Sequence, residues 1–393
     1  MLLHEFVMQK GLEEVRAVFA DEAAAIAGPK GRHRSDRTAN HWGEVDAEFV
    51  LGGRKVSIAR PRVRSADRKE VALPSVALFA SRDPLNERVV SQLLLGVSTR
   101  RYNRSLERLE APARTRGTSK SAVSRTFVAA TRRRVEEELT RSLESLDLAV
   151  LMLDGIVVKG QRVVVALGVD VIGNKHVLGL RMGSTENAIL CTEFLQDLLK
   201  RGMKVSRPLL CVIDGGGGLR RALHDVFGDQ VLIQRCQVHK MRNVKEHLPE
   251  KAQAWVISQM RDAYKASSAT AARRQLQRLV AWLDRNGHDD AAGSLREGLE
   301  ETLTTLKLQL PLTLTRSLST TNAIENLMSS IRRTTHRVSR WRNGSMIRRW
   351  VGIAILEAQK TFRRLKGHRE LPLLVEALGR LHVSSLAASS DAA

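Results

Sequence analysis

The sequence predicts an α/β protein in which helices flank a mixed β-sheet. Three consecutive strand patterns between residues 148 and 181, followed by helix and strand in alternation, indicate that sheet. A helical stretch without strand patterns predicts an insertion. The N-terminal part is basic and interrupted by turn residues, which predicts a separate, mainly helical region. We therefore expect four segments: residues 1–145, 146–240, 241–310 and 311–393.

The charge of the chain points to a polyanionic partner. Its 393 residues include 64 Lys and Arg against 42 Asp and Glu, which gives a net charge of +22 and an isoelectric point near 10.8. Such an excess is typical of nucleic-acid-binding proteins. RNA explains the charge equally well, but aromatic residues make up only 4% of the chain, so few side chains could stack on RNA bases.

The chain has no sequence feature of a membrane or secreted protein. Its longest apolar runs, Leu148–Leu153 and Val163–Val169, fall far short of the roughly 18 residues that a spanning helix needs. The first residues carry charges at helical intervals, unlike a signal peptide. The three cysteines, Cys191, Cys211 and Cys236, are too few and too scattered for a disulfide framework. We expect a cytoplasmic protein.

Alternating apolar and polar residues predict a β-hairpin over residues 42–64. The alternation continues on both sides of Gly52-Gly53, which predicts a tight turn there. The second strand ends in a basic run that we expect to contact nucleic acid: Arg60, Arg62 and Arg64.

The next part of the chain has the pattern of short helices and turns that is typical of a helix-turn-helix array. We expect helices over residues 86–95 and 99–109, separated by a turn at Gly96-Val97-Ser98, and a third helix from a Ser119 cap to Leu139. Lys120 and Arg125 begin that third helix and are candidate DNA contacts. A plain helical segment with a Gly-x-Ser turn would give the same pattern, so this alternative stays open.

The sheet is predicted from short apolar runs. The expected strands are 148–153, 161–171, 175–181, 208–213 and 230–234, with helices over 186–201 and 219–227. Asp154 and Asp214 each follow an apolar run directly, so we expect both at strand ends. Further along, Ser319-Thr320-Thr321 introduces a helix that contains Glu325, the only acid between Glu301 and Glu357.

Asp154, Asp214 and Glu325 form the set of carboxylates that a pair of Mg²⁺ or Mn²⁺ ions needs. Hard divalent cations prefer oxygen ligands, and two such ions can activate an attacking hydroxyl and stabilise a leaving oxygen at a phosphodiester. Each aspartate could instead be a turn former, and Glu325 could neutralise an arginine or its own helix terminus. Asp154 and Asp214 rank above other acids because the apolar strand before each holds its backbone rigidly. The lower-ranked acids lie within the second strand (Asp170), at a helix start (Glu186) or on helix faces where solvent or an ion pair explains them (Asp197 and Asp225).

Basic residues surround these acids in the sequence. Cys236 and His239 form a Cys-x-x-His pair, and no second pair of ligands stands at zinc spacing. This favours a packing thiol and a histidine near the active centre over a structural zinc.

Gly215 to Gly218 match no phosphate loop, so we expect no nucleotide cofactor. Further candidate DNA contacts are Lys240, Arg242, Arg332, Arg333, Arg337, Arg340 and Arg342.

Taken in order, several segments resemble the Mutator-type transposases of bacterial insertion sequences. These are LMLDG at 151–155, VVVALGVD at 163–170, STEN at 184–187, VIDG at 212–215, QRCQVHKMRNV at 234–244, SLREGLEETL at 294–303, TTNAIEN at 320–326 and RVSRWRNGSMIRRW at 337–350. Before them, LGGRKVSIARPRVR and GTSKSAVSRTF continue the likeness, which covers nearly the whole chain.

The resemblance implies a ribonuclease H-like core with an Asp-Asp-Glu triad at Asp154, Asp214 and Glu325, interrupted by the helical insertion. It places the family's Cys-x-x-His motif on Cys236 and His239 and assigns His239 to the catalytic site. It further implies a nucleoid-associated enzyme that binds the terminal inverted repeats of its element, cleaves and joins strands with divalent metal and without ATP, and acts as a dimer or larger oligomer. The chain departs from the family at 215–218, where an all-glycine run predicts a more flexible helix start.

Two other functions remain open from the sequence. A non-catalytic DNA-binding protein derived from a transposase would keep the basic surface without needing all three acids. A structure-selective nuclease on the same fold would cut branched DNA and ignore element ends.

Overall fold

The computed structural model describes residues 3–32, 37–51, 54–81, 84–106, 115–116, 119–183 and 187–390. The chain divides into two compact units, Met1–Arg133 and Arg134–Ala393. None of the helices in these described ranges has the length and apolar character that crossing a bilayer requires. The domain boundaries expected from the sequence stay predictions.

The first unit combines helices with a four-stranded sheet. Its strands are β1 (Ala39–Leu51), β2 (Arg54–Ser65), β3 (Glu70–Val71) and β4 (Thr115–Arg116), and its helices are α1 (Leu3–Ala27), α2 (Pro74–Ser81), α3 (Pro84–Leu94) and the first part of α4 (Lys120–Thr140).

Strands β1 and β2 form an antiparallel hairpin in the segment where the alternation predicts one, and the expected Gly52-Gly53 turn lies outside the described residues. The hairpin packs against α1, with Phe19, Phe49 and Val56 in the shared core. The Ser119 hydroxyl accepts a hydrogen bond from the Ala122 amide at 3.2 Å, so the expected helix cap at the start of α4 is confirmed.

The helix expected over residues 99–109 is wrong within its described part. Residues 99–101 are turns, Tyr102–Ser105 is a single 3₁₀ turn and Leu106 has an extended backbone; 107–109 lie outside the described residues. Tyr102 and Leu106 are four residues apart, as on a helix face, but both are buried by this irregular path. The Ser105 hydroxyl donates to the Tyr102 carbonyl at 2.7 Å, a local bond that competes with helix continuation.

The second unit is built on a mixed five-stranded sheet, as the sequence predicts. Its strands are β5 (Leu148–Val158), β6 (Gln161–Asp170), β7 (Lys175–Gly183), β8 (Leu209–Ile213) and β9 (Val231–Arg235). They lie in the order β7-β6-β5-β8-β9. Strands β5, β6 and β7 form an antiparallel meander, while β8 and β9 continue the sheet parallel to β5.

Asp154 lies inside β5, so the expectation that this strand stops before it is wrong. The parallel ladder with β8 ends at the Leu153–Ile213 pair, but β5 continues to Val158 because it stays paired with β6 through the hairpin turn. The sequence pattern changes at Asp154 because one of the two neighbouring strands ends there. Asp214 follows the last residue of β8, as expected.

Helices surround the sheet. The helices α5 (Ala188–Lys200) and α6 (Gly217–Phe227) pack against each other and share a core with β5 and β8. A helical segment follows β9 and has its own core, which includes Val256, Leu276 and Leu295. Its helices are α7 (Gln237–Glu246), α8 (Glu250–Tyr264), α9 (Ala269–Arg285), α10 (Asp289–Arg296) and α11 (Thr304–Lys307), with a 3₁₀ turn at Glu300–Leu303.

The chain then returns to the sheet. The Thr304 hydroxyl donates to the Ile233 carbonyl at 2.6 Å, and Gln234 Nε2 donates to the Thr302 carbonyl at 3.0 Å, so the end of the insertion is bonded to β9. The remaining helices are α12 (Leu312–Leu318), α13 (Asn322–Thr335), α14 (Gly344–Gln359) and α15 (Leu371–Ser390), with a 3₁₀ turn at His368–Glu370. Helix α13 packs against β5, and α14 packs against α13 and β7.

Candidate active site

Asp154 and Asp214 lie side by side at one edge of the sheet because they follow the paired residues Leu153 and Ile213 of adjacent parallel strands. Asp154 Oδ1 accepts the Gly155 amide at 2.8 Å, and Asp214 Oδ1 accepts the Gly216 amide at 2.9 Å. These bonds hold each carboxylate to its own backbone. Within the part of the chain that the structure describes, no hydrogen bond or ion pair is made by either Oδ2.

The environment of Asp154 opposes its negative charge. Burial and the neighbouring charge of Asp214 raise the pKa of Asp154 to about 6, and Glu325 adds to the rise. The Gly155 amide and the nearby His239 act in the opposite direction. Three carboxylates and a histidine therefore share one electrostatic environment, although they come from four separate chain segments.

The turn after Asp214 is braced by a buried arginine. Arg235 is 5% exposed and donates from Nη2 to the Gly215 carbonyl at 3.0 Å and from Nη1 to the Glu297 carbonyl at 3.1 Å. Gly215 has φ +104°, and a Cβ built there would lie 1.8 Å from Arg235 Nε. Glycine at 215 is therefore required by both backbone conformation and space. A Cβ at Gly217, by contrast, would meet no atom within 4 Å.

Glu325 lies in the first turn of α13, which packs against β5. Its amide donates to the Thr321 carbonyl at 2.9 Å, and its Oε1 accepts the Thr321 hydroxyl at 2.7 Å. Thr321 is fully buried at the N-terminus of the helix. The carboxylate is therefore held by a residue one turn before it.

Cys236 and His239 stand between Asp214 and Glu325. The Cys236 amide donates to the Ile213 carbonyl at 2.8 Å, so the start of α7 is bonded to the strand end that precedes Asp214. On the other side, Cys236 Sγ accepts the Thr321 amide at 3.4 Å and lies 3.3 Å from the Thr321 hydroxyl oxygen. His239 Nδ1 lies 3.6 Å from Glu325 Oε1 and 3.4 Å from the Thr321 hydroxyl.

The thiol and the imidazole favour each other's charged forms. Burial acts to raise the pKa of Cys236, but hydrogen bonds from His239 and Thr321 outweigh it and lower that pKa. The hydrogen bond with Cys236 raises the pKa of His239, burial opposes it, and the charges of Cys236, Glu325 and Asp214 add to the rise. A protonated imidazole beside the carboxylates could donate a hydrogen bond to a bound phosphate oxygen.

Two sets of potential metal ligands overlap at Glu325. Among the described residues, the one set of three whose donor atoms all lie within 4.8 Å of one another is Cys236, His239 and Glu325. Asp154, Asp214 and Glu325 do not meet that limit together. The set of Cys236, His239 and Glu325 offers three ligand atoms, and a threonine hydroxyl lies within hydrogen-bond distance of all three. A structural zinc takes four protein ligands, so this set is one ligand short.

The prediction that Lys240 contacts DNA is wrong. Its side chain is buried, and Nζ donates to the carbonyls of Ser294 and Glu297 at 2.6 Å each. Burial, with the charge of Arg235, lowers the pKa of Lys240 to about 8. The residue joins α7 to the end of α10 and does not face a partner. Lys240 lies on the buried face of α7 with Val244, whereas Arg242, two residues further on, projects from the exposed face.

The other predicted DNA contacts have different surroundings. In the first unit, Arg60 and Arg62 both bind Glu70, at 3.2 and 2.8 Å, and Arg64 lies over the Trp42 ring at 4.7 Å. These arginines are half-buried. The remaining candidates are exposed: Lys120, Arg125, Arg242, Arg332, Arg333, Arg337, Arg340 and Arg342.

Sequence reasoning identified Thr321 only as part of a helix start. The signal that marks its role is the spacing of a threonine four residues before Glu325, which places both side chains on one face of the helix. Arg235 was also missed, because nothing in the linear sequence connects it with Gly215 twenty residues earlier or with Glu297 in the insertion.

Comparison with known proteins identifies the family of the chain. The model of a family described as Transposase, Mutator family, matches residues 7–364. The chain is 27% identical over 394 residues to the transposase for insertion sequence element ISRM5 of Rhizobium meliloti (strain 1021), covering 93% of this chain and 92% of that protein. It is 27% identical over 395 residues to the transposase for IS1081 of Mycobacterium tuberculosis, covering 94% and 88%. It is 26% identical over 275 residues to the transposase for IS256 in transposon Tn4001 of Staphylococcus aureus, covering 67% of each. Because the family model spans nearly the whole chain, the protein belongs to the Mutator family of transposases, enzymes that cleave DNA and transfer its strands.

Proposed function

We propose that this transposase binds the terminal inverted repeats of its own element and cleaves and joins DNA strands at the cluster of Asp154, Asp214 and Glu325. The observation that carries the proposal is the convergence of these acids, from β5, from the end of β8 and from α13, into one electrostatic environment. The sheet order supports a ribonuclease H-like core, in which an antiparallel meander is extended by strands parallel to β5.

The acids suit divalent metal ions. Mg²⁺ and Mn²⁺ prefer oxygen ligands, and the donor set consists of three carboxylates in a basic surface. Burial and the charge of Asp214 raise the pKa of Asp154, and a bound cation would favour its charged form. Asp154, Asp214 and Glu325 would hold two ions. When bound, these ions supply activation of a hydroxyl nucleophile and stabilisation of the leaving oxygen.

The protein's own groups hold and orient the DNA around this centre. His239 lies beside Glu325 and is placed to donate a hydrogen bond to a phosphate oxygen near the carboxylates. Exposed arginines after α13 extend positive charge along the surface, where they would bind the backbone of the duplex without reading its sequence. The first unit, with the hairpin and α4, is the candidate reader of the inverted repeats. Since two element ends must be joined in one reaction, we propose a homodimer or larger assembly.

The test is a cleavage assay on DNA that carries both flanks of the coding region. In Mg²⁺ the full chain should nick at the outer boundaries of the inverted repeats and leave free 3′ hydroxyls. The variants Asp154→Asn, Asp214→Asn and Glu325→Gln should fall to background while they bind the DNA as the unmodified chain does. Asp225→Asn is the matched control, because it makes the same chemical change on an exposed face of α6 and should cleave normally.

Three outcomes would contradict the proposal. Cleavage by Asp154→Asn in Mg²⁺ would remove the first ligand from the mechanism. Binding without cleavage under every metal condition would favour a transposase-derived DNA-binding protein. Cleavage of branched DNA with no preference for the element ends would favour a structure-selective nuclease.

A further inference from the structure

A cationic pocket lies in the second unit, beside the helix that carries Glu325. It has a volume of about 450 Å³. Asn322, Ala323 and Asn326 of α13 line one side of it. Four basic residues line it as well, together with small polar side chains, and no acid is among its lining residues: Lys175, Arg316, Arg364 and Lys366.

These four cations come from distant parts of the chain. Lys175 begins β7, Arg316 lies in α12, and Arg364 and Lys366 follow α14. Within the described ranges, none of them forms an ion pair with a carboxylate. Arg364 Nε donates to Asn174 Oδ1 at 3.2 Å, and Lys175 Nζ lies 5.5 Å from the Phe362 ring centroid, so both are positioned without being neutralised. Burial lowers the pKa of Lys175, which shows that its charge is partly removed from water.

Four cations that line one pocket without a carboxylate create a positive potential that attracts an anion. A phosphate group suits this potential, since arginine binds it through paired N–H donors and lysine through a point charge. The pocket also has neutral hydrogen-bond donors in Thr313 and Asn322. Its lining therefore matches phosphate oxygens better than an apolar ligand.

The position of the pocket connects it with the acids. Asn322 and Asn326 are one helical turn apart on α13, and Glu325 projects from the adjacent side of the same turn. A DNA strand that has a phosphodiester at the carboxylates would carry its neighbouring phosphates towards this pocket. Resting on the proposed function, we propose that the pocket binds backbone phosphates of the DNA strand that passes Glu325.

The first test measures the salt dependence of DNA binding. A fluorescein-labelled duplex is titrated with the full chain in EDTA, so that binding is measured without cleavage. The double variant Arg316→Gln with Lys366→Gln should weaken binding and reduce the slope of log K against log salt by about 1–2, close to 0.9 for each lost phosphate contact. The matched control is Lys251→Gln with Arg261→Gln, which removes two exposed charges from α8 and should leave the slope unchanged. Equal slopes for the two double variants would overturn the proposal.

The second test places a reporter in the pocket. The chain has three cysteines, and all three are buried, so one added thiol can be labelled selectively. Ser317→Cys introduces a thiol of similar size into the pocket, and Ser258→Cys introduces one on exposed α8 as a control. DNA should slow maleimide labelling at position 317 several-fold and leave position 258 unchanged. Equal labelling with and without DNA would overturn the proposal. So would inorganic phosphate that slows labelling as much as DNA does at the same concentration of phosphate groups.

These tests separate the pocket from the proposed catalytic function. A chain that cleaves with Mg²⁺ but gives no slope change and no protection would refute the pocket alone. A chain that shows both binding effects but never cleaves with any divalent metal would refute the catalytic proposal and leave the phosphate pocket standing.

Discussion

The hydroxyl of Thr321 donates a hydrogen bond to Glu325 Oε1 at 2.7 Å, one helical turn away. The same hydroxyl lies 3.3 Å from Cys236 Sγ and 3.4 Å from His239 Nδ1. Thr321 thus connects the carboxylate of α13 with the two side chains at the start of α7. It is a positioning residue for Glu325, since it acts on that side chain and not on DNA.

Thr321→Val should reduce the rate of Mg²⁺-dependent cleavage by about 10- to 100-fold, the usual effect of losing a group that orients a metal ligand. Thr321→Ser keeps the hydroxyl and should restore most of that rate. Single-turnover cleavage at several Mg²⁺ concentrations is the measurement, because a misplaced ligand should raise the Mg²⁺ requirement while DNA affinity stays constant. An equal loss in the serine variant, or a loss matched by a lower melting temperature, would indicate a packing role instead.

Asp154 should destabilise the metal-free protein at neutral pH. Its pKa is raised to about 6 in the folded state, against an ordinary value near 3.9, so the folded protein binds more protons between about pH 4 and 6. Stability contributed by this group is therefore present at low pH and is lost as pH rises through about 6. In EDTA at pH 7, Asp154→Asn should raise the free energy of unfolding by roughly 1–3 kcal/mol.

Urea unfolding with and without Mg²⁺ measures this effect. Added Mg²⁺ should stabilise the unmodified chain more than the Asn variant, because a ligand that binds only the folded state raises its stability. A variant that is less stable than the unmodified chain in EDTA would contradict the prediction.

Lys240 should affect stability at high pH and leave DNA binding unchanged. Its folded-state pKa of about 8 lies below the ordinary value near 10.4, so the unfolded chain binds the extra proton between these values, and stability rises with pH across that window. The unmodified chain should gain about 3 kcal/mol relative to Lys240→Met between pH 8 and pH 10.5. Unfolding titrations of both proteins across the window give the comparison.

The control for Lys240 is its exposed neighbour. Arg242→Gln should lower DNA affinity and the salt slope, whereas Lys240→Met should change neither. A reduced slope in Lys240→Met would mean that the buried amine reaches DNA after all.

The glycine run should tolerate change at one position and not at another. Gly217→Ala replaces glycine at the start of α6, where a Cβ has open space, and should stabilise the protein by about 0.5–1 kcal/mol with cleavage retained. Gly215→Ala has φ +104° and collides with Arg235, so it should lose both stability and cleavage. Melting temperatures and cleavage rates of the two variants test this contrast. Equal behaviour would show that the bracing by Arg235 is unimportant.

The strands and most helices of the second unit were predictable because local patterns specify them. The apolar runs before Asp154 and Asp214 mark buried strands, and the 3.6-residue spacing of Ile324, Leu327 and Ile331 marks a buried helix face. Where long-range pairing overrides a local pattern, the prediction failed. β5 continues past Asp154 because β6 still pairs with it, and no residue near position 154 encodes that partner.

The candidate acids could be selected from the chain because an apolar run directly precedes Asp154 and Asp214, and because Glu325 is the only acid between Glu301 and Glu357. The side chains that surround these acids could not be predicted from the sequence. The bonds of Thr321 to three side chains, the burial of Lys240 against α10 and the four cations of the pocket all join residues that are distant in sequence. The amino-acid sequence determines which chemical groups the chain carries and which local conformations they favour. The packing of the insertion and of the last helices onto the sheet determines which of those groups come into contact.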